Sequence, residues 1–240
     1  MFQVGRWSIK IDWILGRYIY LFYLGYLIFI SFTMYPYNVE IQFNGTIVLS
    51  NQLYIYSQYI VSIIVIFLVS TIFENTFKTK PYELFRTTPI TKTRIILIRY
   101  IQISVSIYLP LIIFLQDAAK QINKNIISYC IQMKLSELET ISVSSVPLIV
   151  QSIIVINFFF VLTLFLLWIF QIKSIPLVLM LAYCALEFGP MSRIFGNFCV
   201  FRGAFNLPDY FHIFSPNTML LLPLSICLFL ILFIGYSRRP

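Results

Sequence analysis

Side chains that commonly catalyse reactions are scarce in this chain of 240 residues. His212 is its one histidine, and no set of cysteine, histidine and carboxylate residues accompanies it at the spacing of a metal site. The GxSxG motif of serine hydrolases is absent, and so is the GxxxxGK[ST] motif that cradles phosphates in ATPases. We therefore expect no catalytic residue, no bound metal, no directly bound cofactor and no ATPase site in this chain.

Two polar residues in the apolar part of the sequence are candidates for a substrate path, Glu187 and Asn157. A carboxylate near a membrane span is costly and usually faces a cavity or a partner. Glu187 could instead lie among the outer headgroups or pair with Arg193. Asn157 follows Gln151 and precedes Thr163, each by six residues. That spacing spreads the three around a helix, so hydrogen bonds between helices would also explain them.

The composition is that of a membrane protein. Hydrophobic residues make up 60% of the chain, charged residues 11%, and the mean hydropathy is +0.87. Several apolar runs approach the ~20 residues that cross a hydrocarbon core of about 30 Å. They lack the alternation of barrel strands, so the fold class we expect is all-α and polytopic. The net charge of +8 follows membrane topology and does not indicate nucleic acid.

We predict six transmembrane helices in a single domain, residues 1–240. The predicted spans are 18–35, 54–73, 97–116, 148–170, 175–188 and 217–236. Residues 1–17 predict an interfacial amphipathic helix, because the basic side chains lie off its apolar face. Span five is short, and the Gly- and Pro-broken segment 189–216 predicts short helices that dip into the outer leaflet. Residues 117–147 predict a loop on the outer membrane surface.

The basic residues predict that both termini are cytoplasmic. With six spans, both termini lie on the same side of the membrane. The segments on that side contain twelve basic residues, and those on the other side contain five. The positive-inside rule therefore assigns the side of the termini to the cytoplasm. The twelve are Arg6, Lys10, Arg17, Lys78, Lys80, Arg86, Lys92, Arg94, Arg99, Lys173, Arg238 and Arg239, and the five are Lys120, Lys124, Lys134, Arg193 and Arg202.

The sequence of residues 74–96, between spans two and three, predicts a short helix, a break and a second helix. Pro89 disfavours helical backbone at Thr88, and Thr91 is a suitable N-cap for a helix that starts at Lys92. Apolar side chains in the first helix, beside a basic rim, indicate a protein partner at the cytoplasmic face. An elbow held by anionic lipid headgroups is the alternative.

Part of this loop, ELFRTTPITKTRIILIRY, resembles the loop between spans two and three of ABC-2-type transporter permeases. The matching positions are Glu83, Leu84, Thr87, Pro89, Ile90, Thr91, Arg94, Ile95 and Arg99. The order of an amphipathic N-terminal helix, six spans and a broken segment between spans five and six is also similar to that family. The 117–147 segment departs from it, because it is longer than the usual link between spans three and four.

The resemblance implies that this loop contains a coupling helix that docks in a groove of a separate ABC ATPase subunit. The docking residues it implies are Tyr82, Glu83, Leu84, Phe85, Arg86, Pro89, Thr91 and Arg94. ATP and Mg would bind to that partner chain. A second permease subunit, identical or different, would complete a dimer around the substrate path.

The resemblance implies that the chain is the membrane subunit of an ATP-driven exporter. By analogy with that family, the membrane is the bacterial cytoplasmic membrane. Its cargo would be amphipathic or lipophilic, such as a small peptide, and its other contacts would be membrane lipids. A stand-alone immunity or scaffold protein that binds without ATP is the alternative. A membrane enzyme is a third class; Glu187 and Arg193 are similar to residues of some intramembrane proteases, whose second glutamate and further histidines are missing here.

Overall fold

The computed structural model describes residues 2–33, 39–41, 47–49, 55–77, 92–133, 144–188, 200–201 and 216–237. Helices dominate these residues, as predicted. They are α1 (Phe2–Thr33), a π-helix (Ile55–Ile60) that continues into α2 (Val61–Phe77), α3 (Lys92–Met133), α4 (Ser145–Phe170), α5 (Ser174–Phe188) and α6 (Pro216–Ser237). Two short strands, β1 (Val39–Ile41) and β2 (Ile47–Leu49), pair antiparallel with Val39 opposite Leu49.

Four helices in the described part of the chain are long and apolar enough to cross a membrane. Their apolar segments are Ile55–Glu74, Thr93–Ser128, Ser145–Phe170 and Met219–Tyr236, which correspond to predicted spans two, three, four and six. The number is therefore four and not the predicted six. Helix α5 has 15 residues, or about 22 Å, which is shorter than a hydrocarbon core of about 30 Å. The second half of α1 is less apolar because tyrosines and Arg17 interrupt it.

The predicted boundary between an interfacial helix and span one is not a break in the structure. Helix α1 runs without interruption from Phe2 to Thr33, through Gly16 and Arg17. Gly16 is where α1 meets α2: a Cβ there would lie 3.2 Å from Cδ1 of Ile72. A helix keeps its direction when neither a proline nor an inserted side chain interrupts it. The amphipathic pattern of residues 1–17 therefore marks one part of a longer helix.

The exposed face of α3 changes from apolar to polar near residue 115. Its first part exposes an apolar stripe with a spacing of four residues, which covers about 24 Å of helix. The stripe consists of Leu97, Ile101, Val105, Leu109 and Ile113. The next exposed side chains are Gln116, Asp117, Lys120 and Lys124. The change indicates the edge of the lipid-facing belt and agrees with the predicted end of span three at 116.

The predicted loop at 117–147 is wrong for residues 117–133, which continue α3 as helix. The charges at Asp117 and Lys120 end the apolar run, but the helical periodicity persists in the buried Ala118, Ile122 and Ile126. Strand β1 lies against α3. The helix therefore extends beyond the apolar belt, while residues 134–143 lie outside the described part of the chain.

Helix α4 lies at the centre of the bundle and contacts α2, α3, α5 and α6. It begins at Ser144, whose Oγ accepts a hydrogen bond from the amide of Val146, a standard N-cap. It ends at Gln171, which adopts a left-handed conformation with φ 58° and donates its amide to the carbonyl of Leu167. The predicted span 148–170 therefore ends at the correct residue, but α4 starts three residues earlier than predicted.

The final turns of α2, α4 and α6 meet at one end of the bundle. Lys173 Nζ lies 3.4 Å from Glu74 Oε2, which joins the α4–α5 link to α2. The rings of Phe77 and Tyr236 pack edge to face with centroids 5.5 Å apart, which joins α2 to α6. We call this the Lys173 end. The arrangement requires α2, α4 and α6 to run in the same direction.

Candidate functional site

The predicted coupling residues from Tyr82 to Thr91 lie outside the described part of the chain. The structure does describe Arg94, which is exposed in the first turn of α3. It also confirms that α3 starts at Lys92, the residue after the predicted N-cap. Nothing interrupts α3 between Lys92 and Met133 except Pro110, which is tolerated in a packed helix.

The start of α3 belongs to the Lys173 end of the bundle. Tyr100, two turns into α3, packs edge to face on Phe160 of α4 and beside Phe229 of α6, with both centroid distances 4.9 Å. Phe160 in turn contacts Phe73, near the end of α2. The end of α2 at Phe77 and the start of α3 at Lys92 therefore lie at the same end of the bundle.

Asn157, a predicted substrate-path residue, is half-buried on α4 and is the centre of a polar cluster with α3. Its Oδ1 accepts hydrogen bonds from Tyr100 Oη at 2.5 Å and from Tyr108 Oη at 3.2 Å. The two tyrosines are eight residues apart and therefore lie on the same face of α3. Thr163, which the sequence groups with Asn157, bonds elsewhere: its Oγ1 donates to the carbonyl of Phe159 within α4.

The sequence analysis missed both tyrosines, because tyrosine is common in this chain and neither residue belongs to a motif. The signal that could have identified them is their spacing. Tyr100, Ser104 and Tyr108 repeat every four residues on a predicted span, and a polar stripe within a span usually faces other protein.

Glu187, the second predicted substrate-path residue, is fully buried at the end of α5. Its Oε1 accepts a hydrogen bond from the amide of Val200 at 2.9 Å, and its Oε2 accepts one from the amide of Phe201 at 3.0 Å. The carboxylate is therefore enclosed by protein. Arg193, its other proposed partner, lies outside the described residues. Contact between Glu187 and a substrate stays a prediction.

The turn that Glu187 holds is also packed by aromatic rings. Phe201 stacks on Phe159 of α4 with centroids 5.0 Å apart and contacts Tyr59 of the π-helix edge to face at 5.0 Å. Both residues of the turn, Val200 and Phe201, are buried. They are the described residues inside the predicted broken segment 189–216, apart from the start of α6 at Pro216. The turn therefore packs against the middle of α4, where Phe159 lies.

The π-helix brings polar side chains into the core near this turn. Ser57 and Gln58 are both buried, and Gln58 Nε2 donates to Ser152 Oγ of α4 at 3.4 Å. Tyr26 of α1 donates to the carbonyl of Tyr56 at 3.0 Å. A π-helix is rare and frequently marks a functional position, because it costs regular hydrogen bonding. These contacts join α1, the π-helix and α4.

The described residues contain no group of three or more histidine, cysteine, aspartate or glutamate side chains that could bind a metal ion. Comparison with known proteins adds no assignment: no protein family matches the chain, and neither a curated protein nor a solved structure matches it. The geometry of its own residues is therefore what supports a function.

Proposed function

We propose that this chain is the membrane subunit of an ATP-driven exporter whose ATPase is a separate chain. The observation that supports this most strongly is the position and length of α3. It starts at Lys92, directly after the basic and apolar segment that resembles a coupling helix, and runs unbroken past the apolar belt. A displacement of residues 82–91 would therefore move a rigid rod of about 63 Å.

The side chains on α3 determine where such a movement would act. Tyr100 and Tyr108 bond to Asn157 of α4, and Tyr23 of α1 donates to the carbonyl of Ile107 at 2.7 Å. A shift of α3 would therefore pull on two neighbouring helices in the interior of the bundle. In this proposal ATP and Mg bind to the partner, and this chain transmits the movement to the path of an amphipathic or lipophilic cargo.

Six crossings are the topology that this proposal requires. Helix α1 would supply the first, since its second half exposes the large apolar side chains Phe22, Ile28, Phe29 and Phe32. Helix α5 would cross as a tilted or partly inserted short helix, with the turn at Val200 and Phe201 packed against its end. A second permease subunit would complete the path.

The orientation predicted by the proposal has a direct test. The Lys173 end contains the ends of α2, α4 and α6 together with the start of α3, and it should face the cytoplasm because the basic residues favour that side. Single cysteines at Lys78 and at Asn44, in an otherwise cysteine-free chain, should label from opposite sides of the membrane. Labelling of both positions by an impermeant maleimide in intact cells would contradict the orientation.

The proposal is tested by co-expressing the chain with an ATPase that carries the GxxxxGK[ST] motif and is encoded beside it. The two should purify together, and ATP hydrolysis should increase when both are in a bilayer. The alternative of a stand-alone immunity or scaffold protein predicts a folded membrane protein with no such association. An elbow held by anionic lipids predicts that neutralising Arg86, Lys92 and Arg94 together detaches the segment from vesicles.

A further inference from the structure

The second half of α1 exposes a wide apolar face. Six large side chains on this face are between 56% and 80% exposed, and they recur at the three- and four-residue spacing of one helix side. They are Tyr18, Leu21, Phe22, Ile28, Phe29 and Phe32. The opposite side of the same helix is buried in the bundle through Tyr23, Leu27 and Ile30. We call the exposed side the outer face of α1.

Gly25 lies at the centre of this outer face. It is exposed, and a Cβ placed on it would meet no atom within 4 Å. Leu21 and Phe22 lie one turn before it, and Ile28 and Phe29 lie one turn after it. Four large side chains therefore surround a position that has none. We call these five residues the Gly25 notch, and it is open to whatever surrounds the helix.

The side chain of Arg17 lies at the end of the outer face that is nearer to the Lys173 end of the bundle. Gly16, the residue before it, packs on Ile72 close to the end of α2, whereas the later residues of α1 approach the π-helix. Helical side chains lean toward the N-terminus of their helix. Arg17 therefore extends toward the Lys173 end, out of the apolar belt and toward the headgroups.

The guanidinium of Arg17 is oriented by the next residue. Its Nη2 donates to Tyr18 Oη at 2.8 Å, and its Cζ lies 4.6 Å from the centre of the same ring. Arginine has five N–H donors, of which the described contacts use one. The partner is a neutral phenol, and residues 16–33 of α1 contain no carboxylate. A cation beside an apolar belt is favoured by a nearby anion, which the lipid phase can supply.

We propose that the outer face of α1 binds one anionic phospholipid, with the phosphate at Arg17 and an acyl chain in the Gly25 notch. A guanidinium matches a phosphate with two parallel N–H bonds. Gly25 lies eight residues after Arg17, about 12 Å along the helix axis. One leaflet of a hydrocarbon core of about 30 Å is roughly 15 Å deep, so one lipid reaches both positions. This site does not depend on the proposed export function.

The competing occupant of a helix face with a central glycine is a second copy of the chain. Two copies inserted in the same direction would pack α1 parallel to α1. That arrangement brings two Arg17 guanidinium groups to the rim of one interface, where like charges repel and α1 offers no carboxylate. A zwitterionic lipid has the phosphate, but its own ammonium group offsets the attraction to Arg17. The charge of Arg17 therefore favours an anionic lipid.

The first test measures which lipid the purified chain retains in detergent, by native mass spectrometry. The probe is an equimolar mixture of phosphatidylglycerol and phosphatidylethanolamine with identical acyl chains. The wild type should prefer phosphatidylglycerol. Arg17→Gln should reduce this preference roughly fivefold, the effect of one basic side chain at an anionic membrane surface. Arg17→Lys keeps the charge and should keep most of the preference.

The matched control for the charge is Lys120→Gln. Lys120 is also exposed at an edge of the apolar belt, but Asp117 lies one turn before it on α3, so it has a carboxylate nearby. We expect this variant to retain both lipids as the wild type does. Equal retention of the two lipids by the wild type overturns the inference. An equal loss of preference in Arg17→Gln and Lys120→Gln also overturns it.

The second test fills the Gly25 notch. Gly25→Phe should reduce retention of both lipids and leave the ratio between them unchanged, because the notch holds the chain and Arg17 selects the headgroup. Its thermal midpoint should stay the same or rise, since the new Cβ meets no atom within 4 Å and glycine is a poor helix former. The matched control is Val105→Phe, which adds the same ring to the exposed stripe of α3.

Two further results contradict the lipid site. If Gly25→Phe retains as much lipid as Val105→Phe does, the notch holds no acyl chain. If Gly25→Phe converts a dimer into a monomer in the same spectra while lipid retention is unchanged, a second copy covers the outer face. Association with an ATPase is measured separately, so either failure leaves the proposed function standing.

Discussion

The double variant Leu84→Asp with Phe85→Asp should abolish association with the ATPase and leave the membrane subunit folded and inserted. If residues 82–91 dock in a groove, these two apolar side chains are the anchors. Burial of each contributes roughly 1.5–3 kcal/mol, so the loss of both should weaken association far more than tenfold. Stimulated ATP hydrolysis should disappear with the complex. Co-purification and ATP turnover of the co-expressed chains measure both effects.

The control for this variant is a change at the rim of the same segment. Glu83→Gln and Arg86→Gln should affect salt sensitivity and the rate of association, because exposed charges at a rim contribute little affinity. If the double Asp variant keeps its ATPase while neutralising Arg86, Lys92 and Arg94 breaks the assembly, the segment binds through its charges and the anchor assignment is wrong.

Glu187→Ala should be among the most destabilising single substitutions in the chain. It removes the acceptor of two buried amides, and each buried N–H left without a partner costs about 1–3 kcal/mol. We therefore expect a loss of about 2–6 kcal/mol in the free energy of unfolding. The amides of Val200 and Phe201 should also lose their protection from hydrogen exchange. Thermal unfolding in detergent and hydrogen exchange measure the two effects.

Glu74→Gln is the matched control for Glu187→Ala. Glu74 is only partly buried, and Lys173, its partner in the ion pair, is nearly half exposed. Pairs of this kind contribute at most about 1 kcal/mol. If Glu187→Ala shifts the midpoint no more than Glu74→Gln does, and leaves the exchange of Val200 and Phe201 unchanged, the carboxylate does not hold the turn.

The helices that follow from long apolar runs could be predicted from the sequence. Helix α6 was predicted to within one residue at each end, and the start of α3 at Lys92 was predicted from the sequence signals Pro89 and Thr91. The extension of α3 beyond residue 116 was missed, since exposed charges at Asp117 and Lys120 lower the hydropathy without ending the helix. Hydropathy detects the membrane segment of a helix and not its length.

The polar contacts could be predicted only in part. Glu187 and Asn157 were identified because a polar residue within an apolar helix is unusual. The partners of Glu187 are backbone amides, which no sequence pattern indicates, since every residue has one. The partners of Asn157 come from another helix, so their identity depends on how α3 and α4 pack, which the residue types do not determine.

A photoreactive amino acid at position 85 tests the central claim most directly. In cells that co-express the neighbouring ATPase, irradiation should join the membrane subunit to that ATPase. The same amino acid at Ile127, on the exposed face of α3 beyond the apolar belt, should give no ATPase adduct. An adduct at 85 and none at 127 is the result that the account predicts. Adducts of position 85 with lipid alone, or ATPase adducts at Ile127, would contradict it.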